Sequence, residues 1–185
     1  EVGVGQSMYE IQRYVRANDY GTSVLLESIV DRRPQIKKLV VASSMSIYGE
    51  GAYSCSSCGD VYPQLRPTPQ LLDRRWDVEC PDCGKPLSPK GTPETKPLFP
   101  TSVYAVTKQD QEQFCLIVGR SYNIPTVALR YFNVYGPRQA LSNPYTGVCA
   151  IFSARLLNGH SPLIFEDGEQ TRDFVHVTDI AKANL

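Results

Sequence analysis

The sequence predicts an α/β fold with a parallel sheet, and three observations carry that prediction. Two short apolar runs, at residues 37–44 and 124–131, each end in polar residues, as buried parallel strands do where they reach a ligand edge. Stretches with apolar positions at helical spacing alternate with them. The chain has 185 residues, 42% of them hydrophobic, which is enough for one domain with a real core.

Taken in order, Ile11, Tyr14, Val15, Val24, Leu25, Leu26, Ile29 and Val30 keep helical spacing between Ser7 and Asp31, in two segments that Gly21-Thr22 is expected to interrupt. Lys37-Lys38-Leu39-Val40-Val41-Ala42-Ser43-Ser44 reads as a strand buried on both faces, which places Ser43 and Ser44 at its ligand edge; Met45-Ser46-Ile47-Tyr48-Gly49-Glu50-Gly51 leaves that edge. After Pro100 a helix is expected, with Thr101 or Ser102 as N-cap. Residues 124–131 form the next strand, and Phe132-Asn133-Val134-Tyr135-Gly136-Pro137-Arg138 leaves its carboxyl end. Residues 142–147 read as a turn-rich loop, followed by a helix that Gly159 stops from the C′ position. Leu163-Ile164-Phe165 is expected as a brief strand, Glu166-Asp167-Gly168 as a turn, and Asp173-Phe174-Val175-His176-Val177 as a second extended piece. The chain begins without methionine and stops inside a helical pattern, so it reads as a piece of a longer protein.

Charge narrows the function classes. Lys+Arg 19 balance Asp+Glu 19, so no global field recruits nucleic acid or a membrane surface, and an anionic ligand must be held by local groups. No run is long enough for a membrane span and no signal-peptide layout is present, so a cytoplasmic protein is expected. Of the 6 cysteines, Cys55, Cys58, Cys80 and Cys83 form two Cys-x-x-Cys pairs. In a chain without a secretion signal such pairs favour a metal over disulfides.

The chemistry centres on Ser102-Val103-Tyr104-Ala105-Val106-Thr107-Lys108. A tyrosine and a lysine four residues apart on a helix share one face and deliver both groups to one point. Bringing a phenol from a pKa near ~10 to neutrality takes a shift of about 3 units, roughly 4 kcal/mol of added stabilisation of the phenolate. A lysine cation one turn away supplies part of that, and a positively charged cofactor ring would supply more.

Five motifs in order carry a family resemblance: Asn18-Asp19-Tyr20-Gly21-Thr22; Ser43-Ser44-Met45-Ser46-Ile47-Tyr48-Gly49; Tyr104 with Lys108; Leu129-Arg130-Tyr131-Phe132-Asn133-Val134-Tyr135-Gly136-Pro137-Arg138; and Arg172-Asp173-Phe174-Val175-His176-Val177-Thr178-Asp179. The chain resembles the extended short-chain dehydrogenase/reductases, in their nucleotide-sugar epimerase and dehydratase branch. The resemblance implies a Rossmann-like doubly wound sheet, an NAD cofactor, a nucleotide-diphosphate sugar as partner and a homodimer. It implies Tyr104 as catalytic base, Ser44 as the hydroxyl bonded to the sugar oxygen and the tyrosine, and Lys108 as the lysine that holds the ribose and lowers the tyrosine's pKa. Ser43 and Phe132 would lie with the cofactor, and Ser44, Asn133, Phe165 and Arg172 with the substrate. Asn133 and Arg172 would hold the diphosphate, a role that suits a planar guanidinium.

Departures from the pattern refine this. The glycine-rich turn that cradles the cofactor pyrophosphate is missing and would precede Glu1. Gly147 stands where relatives usually carry asparagine. Dehydratases resemble one another in an Asp-Glu pair directly after the active-site hydroxyl, where this chain has Met45 and Ser46, which disfavours dehydration. An NAD-dependent nucleotide-sugar 4-epimerase is the expected function, with residues 1–9, 43–51 and 136–147 similar to the dTDP-L-rhamnose 4-epimerases within the family. The alternatives are a 4-ketoreductase of a dTDP-4-keto-6-deoxy sugar, a 4,6-dehydratase, or a binding module.

The expected organisation is a first part of the cofactor domain at residues 1–51, an insert at 52–96, the continued cofactor domain with the catalytic helix at 97–140, and the start of the substrate region at 141–185. In the insert each cysteine pair sits on a turn with glycine after the second cysteine, and the spacing between the pairs is slightly beyond the usual range for such sites. Two such turns can close a zinc-ribbon-like site of four cysteines, structural because all four positions are filled. Prolines at 63, 67, 69, 81, 86 and 89 predict little regular structure around it. The insert's basic residues are offset by acidic ones, so nucleic acid is not expected as its partner. His160 and His176 read as structural, and Cys115 and Cys149 as small core residues.

Overall fold

The computed structural model describes residues 1–32, 36–140 and 147–185. In chain order the elements are α1 (Val4–Ser7), α2 (Ile11–Tyr14), a π-helical turn (Val15–Tyr20), α3 (Gly21–Asp31), β1 (Leu39–Ser44), a 3-10 turn (Met45–Tyr48), β2 (Ala52–Cys55), β3 (Gly59–Val61), α4 (Thr68–Leu72), β4 (Ser88–Lys90), α5 (Val103–Ser121), β5 (Thr126–Tyr131), β6 (Asn133–Tyr135), α6 (Val148–Leu157), β7 (Phe174–His176) and α7 (Val177–Ala183). They form two compact units: Glu1–Ile47 with Pro100–His160 and Asp173–Leu185, and Tyr48–Phe99 with Ser161–Arg172.

In the first unit β1 and β5 pair in parallel, from Leu39 beside Thr126 to Ser44 beside Tyr131. Helix α5 packs on both strands, and Leu26, Ile29, Cys115 and Ile124 are buried together with Leu39, Val41 and Val118 packed against them. The approach of helix to strand is close enough that a Cβ on Gly119 would stand 2.0 Å from Thr126 Oγ1. Contrary to the expectation of a strand buried on both faces, Ala42 is exposed, because Leu39 and Val41 point toward the helix-covered side and Ala42 points away from it. A second parallel pair sets β6 beside β7, from Asn133 and Phe174 to Tyr135 and His176.

Gly21 does not interrupt the N-terminal helical region. Its φ of −61° is helical, and it follows a π turn into α3, so the extra residue is absorbed by the turn rather than by a break. Gly159, by contrast, does stop α6. It takes φ +71°, and the Gly159 and His160 amides donate to the Leu156 and Arg155 carbonyls, the paired bonds of a glycine-terminated helix. Leu163-Ile164-Phe165 is not a strand; all three side chains are exposed and no β partner faces them among the described residues. Residues 142–146 of the expected turn-rich loop lie outside the described residues, and Gly147 N-caps α6. Among the described residues no helix is long and apolar enough to cross a membrane.

The second unit holds more regular structure than its prolines predict. Strands β3, β2 and β4 form an antiparallel sheet in that order, with Pro89 on the edge strand, where its missing amide hydrogen costs no interior ladder bond. Pro67 caps α4 and Pro69 sits in its first turn, where proline is tolerated. The core of the sheet is Cys55, Val61 and Cys80, with Leu87 against them. Lys96 is also buried: its ammonium donates to the Tyr48 carbonyl at 2.7 Å and the Pro97 carbonyl at 3.1 Å and faces the Phe99 ring at 4.8 Å. Burial lowers its pKa.

Candidate active site

Helix α5 presents Tyr104 and Lys108 one turn apart, and the surrounding elements tether each turn. Ser102 caps the helix, its hydroxyl accepting from the Ala105 amide at 3.1 Å. The Tyr104 amide donates to the fully buried Ser7 hydroxyl at 2.9 Å, and the Tyr104 ring meets the Tyr14 ring edge-on at 6.4 Å. Thr107 donates to the Tyr104 carbonyl at 3.0 Å and accepts from the side-chain amide of Asn18, which the π turn supplies, also at 3.0 Å. Lys108 donates to Gln111 Oε1 at 2.7 Å, and Gln111 donates in turn to Thr22 of α3 at 2.7 Å. Burial lowers the pKa of the Lys108 ammonium. One turn further, the Glu112 carboxylate takes two bonds from Arg130 of β5, from Nη2 at 2.7 Å and Nε at 3.1 Å. Burial alone would raise the Glu112 pKa, but hydrogen bonding, chiefly from Arg130, outweighs it and holds the carboxyl below its usual range.

The carboxyl ends of β1 and β5 bring a second group together. Ser43 and Ser44 are buried at the end of β1, and the Ser44 hydroxyl accepts from the Ser46 amide at 3.2 Å and donates to the Ser46 hydroxyl at 3.1 Å. Phe132 and Asn133 follow β5 directly. The Asn133 amide nitrogen donates to the Asp173 carbonyl at 3.0 Å and lies 3.8 Å from Met45 Sδ, so the two strand exits touch. Since α5 packs on these same strands, Ser43, Ser44, Tyr104, Lys108, Phe132 and Asn133 belong to one unit. Phe165 and Arg172 belong to the other; Phe165 is exposed, and Arg172 donates to the Thr171 carbonyl at 2.7 Å.

In the second unit the four sulfurs of Cys55, Cys58, Cys80 and Cys83 all lie within 4.8 Å of one another. Cys55 and Cys83 approach to 3.5 Å, near the roughly 3.8 Å between thiolates around a tetrahedral zinc and far beyond a disulfide bond of about 2.05 Å. Gly59 and Gly84, with φ of +78° and +72°, supply the left-handed residue after each pair. The Gly84 amide donates to the Cys80 carbonyl and the Cys80 amide to the Lys85 carbonyl, both at 2.8 Å. The donor set fits a borderline-soft divalent ion such as zinc.

The sequence pattern of the NAD dependent epimerase/dehydratase family matches residues 80–185. The chain belongs to that family. A relative, the dTDP-L-rhamnose 4-epimerase of Burkholderia thailandensis, is 38% identical over 183 residues, 99% of this chain and 49% of its own length. The structure is similar to UDP-N-acetylglucosamine 4-epimerase from Methanobrevibacter ruminantium in complex with UDP-N-acetylmuramic acid, with a TM-score of 0.72 and 33% identity over 99% of this chain and 47% of that one. It is likewise similar to the Thermus thermophilus UDP-glucose 4-epimerase complex with NAD, with a TM-score of 0.67 and 30% identity over 100% of this chain and 49% of that one. The α/β Rossmann-like fold with a parallel sheet agrees with these neighbours. The chain spans about half the length of the relatives it matches.

Reading the sequence singled out Tyr104 and Lys108 but not the groups that hold their helix: Ser7, Asn18, Thr107, Gln111, Glu112 and Arg130. Glu112 carried a signal, since it continues the Tyr104 and Lys108 face at the same spacing of four. Ser7 carried none, because its partner is 97 residues away; Asn18 opens one of the family motifs, but nothing in the sequence ties it to Thr107, 89 residues on. His176 is structural as expected: its Nδ1 accepts from the Thr178 amide and caps α7. Cys115 is buried in the core, whereas Cys149 is only half-buried.

Proposed function

We propose that the protein carrying this chain is an NAD-dependent nucleotide-sugar 4-epimerase that inverts C4 of dTDP-L-rhamnose or a close analogue. The observation that carries this reading is the tethered Tyr104 and Lys108 face of α5 packed on the strand that ends at Ser44, with Met45 and Ser46 where dehydration would need an acid and a base. The relative from Burkholderia thailandensis supports the choice of sugar.

In this reading Tyr104 Oη takes the proton from the sugar C4 hydroxyl while the C4 hydride departs, and Ser44 Oγ hydrogen-bonds the same oxygen. NAD, when bound, would supply hydride acceptor and donor chemistry at this site; a phenol, an ammonium and buried hydroxyls beyond parallel strand ends are a donor set that suits it. Lys108 Nζ holds the cofactor ribose, and its charge favours the phenolate. Ser43 and the Phe132 backbone lie beside the cofactor. Asn133 and Arg172 hold the diphosphate, with Phe165 beside the substrate, so binding energy is placed away from the reacting carbon and the flat 4-keto sugar is free to present its other face. Tyr104 then returns the proton.

The same reading assigns residues 1–51 and 97–140 to the cofactor domain, 52–96 to the insert and 141–185 to the start of the substrate region. Cys55, Cys58, Cys80 and Cys83 hold a structural zinc, with no ligand position left for a substrate. The protein works in the cytoplasm as a homodimer, and the apolar groove of Leu26, Val30, Phe114, Ile117 and Tyr122 between α3 and α5 offers a face for the second copy.

Incubating the full-length protein with dTDP-L-rhamnose, without added NADH, and following C4 by proton NMR tests the reaction. The C4 epimer should accumulate to equilibrium. Absence of turnover, together with NADH-dependent reduction of a dTDP-4-keto-6-deoxy sugar, would make the protein a ketoreductase with the same residues in the same roles.

A further inference from the structure

The second unit joins the cysteine insert to the stretch Ser161–Arg172, which carries Phe165 and Arg172. One side chain of the insert reaches directly across to that stretch. Arg66, between β3 and α4, forks onto Glu166, with Nη1 to Oε2 and Nη2 to Oε1 both at 2.9 Å. Nη1 also donates to the Trp76 carbonyl at 2.8 Å. The backbone around Trp76 is itself fixed, because the buried Gln70 amide donates to the Arg75 carbonyl at 3.1 Å and the Asp77 carbonyl at 2.7 Å. Three residues beyond Asp77 the chain enters the cysteine cluster at Cys80.

On the other side of the joint, Glu166 organises a turn. It takes the left-handed conformation at φ +55°, and Gln170 Nε2 donates to its carboxylate at 3.0 Å and to the Phe165 carbonyl at 3.3 Å. Asp167 accepts from the Glu169 amide at 3.0 Å. The side chains of Arg66 and Glu166 are 21% and 25% exposed. An ordinary surface pair does little, but a bidentate fork with a third acceptor and most of its surface covered fixes geometry as well as charge. Hydrogen bonds from Arg66, then Gln170, hold the Glu166 carboxyl below its usual range.

We propose that Arg66 and Glu166 are positioning residues for the nucleotide diphosphate: by pinning the turn from Phe165 to Gln170 they preset the backbone that carries Arg172, so the insert tunes substrate affinity. This rests on the reading of Arg172 as the diphosphate-binding arginine. Ordering that segment before the ligand arrives removes an entropic cost from binding, and the effect belongs to affinity rather than to the chemical step.

The test uses the full-length protein, with dTDP and UDP as calorimetric probes and dTDP-L-rhamnose for kinetics. Arg66→Ala and Glu166→Ala should each raise Kd for the bound diphosphate, and KM, by about tenfold, with kcat changed less than about twofold; the double variant should be no worse than either single one. Arg172→Ala, measured alongside, separates the two ideas. If Arg172→Ala weakens dTDP or UDP binding and Arg66→Ala does not, the positioning role is overturned while the reading of Arg172 stands. If Arg172→Ala leaves both affinities unchanged, the reading of Arg172 fails and the proposal falls with it. A lower Tm in the Arg66 or Glu166 variants with unchanged Kd shows a merely structural pair and overturns the proposal. Should Arg66→Ala not fold, Glu166→Gln breaks the same ion pair with nearly the same side-chain shape and decides by the same readouts.

Discussion

In the first unit, successive turns of α5 are tied to different elements, at Tyr104 to Ser7, at Lys108 through Gln111 to Thr22, and at Glu112 to Arg130, over an apolar cluster of Leu26, Ile29, Cys115 and Ile124. The apolar cluster of the second unit is small, with Cys55, Val61 and Cys80 buried together against Leu87, and two of those three are thiols of the candidate metal site. Where apolar burial is plentiful, polar groups are free to act as tethers for a reacting side chain. Where it is scarce, order has to come from a metal and from a forked ion pair.

That contrast breaks first under metal removal. Chelation of the full-length protein, or Cys55→Ser with Cys80→Ser, should remove stabilisation on the order of 10 kcal/mol from the second unit. Hydrogen exchange should then show loss of protection in β2 and β3 while α5 stays protected; equal protection with and without chelator would erase the distinction. Tyr104→Phe probes the other side: it should lower kcat by roughly 10²–10⁴-fold with little change in hydrogen-exchange protection or Tm. Glu112→Ala removes the carboxylate that Arg130 binds and should cost about 3 kcal/mol, read as a shifted urea midpoint. Loss of the helix cap in Ser102→Ala should cost about 1 kcal/mol by the same assay.

The last effect is one of pH. Burial, then the neighbouring Asp110 charge, raises the Asp19 carboxyl from 3.8 to about 6. The folded chain therefore holds a proton that the unfolded chain has released, and this contribution to stability declines as pH rises from about 4 through 6. Asp19→Asn should flatten that decline and raise Tm at pH 7 relative to the parent; an unchanged pH profile would remove Asp19 as its source.

Features set by local rules were legible in the sequence. The Ser102 cap, the helix behind it, the strands ending at Ser44 and Tyr131 and the Gly159 stop follow from spacing, capping and glycine geometry within a few residues. The two Cys-x-x-Cys-Gly turns were legible for the same reason, and the structure brings their sulfurs together. What was not legible depends on distant partners. The sheet of the insert needs β4 to reach β2 across more than thirty residues, which proline counting does not capture. Leu163-Ile164-Phe165 has strand-like composition but no partner strand among the described residues. Arg66 and Glu166 are 100 residues apart, and no periodicity links them.

The central claim, that the C4 hydride leaves and returns to the same carbon while Tyr104 manages the proton, is tested most directly with dTDP-L-rhamnose deuterated at C4. Incubated with the full-length protein in ordinary water, the inverted sugar should keep its deuterium at C4. Replacement of that deuterium by solvent hydrogen during inversion would contradict the account, since inversion would then proceed by loss of a proton from carbon rather than by hydride transfer.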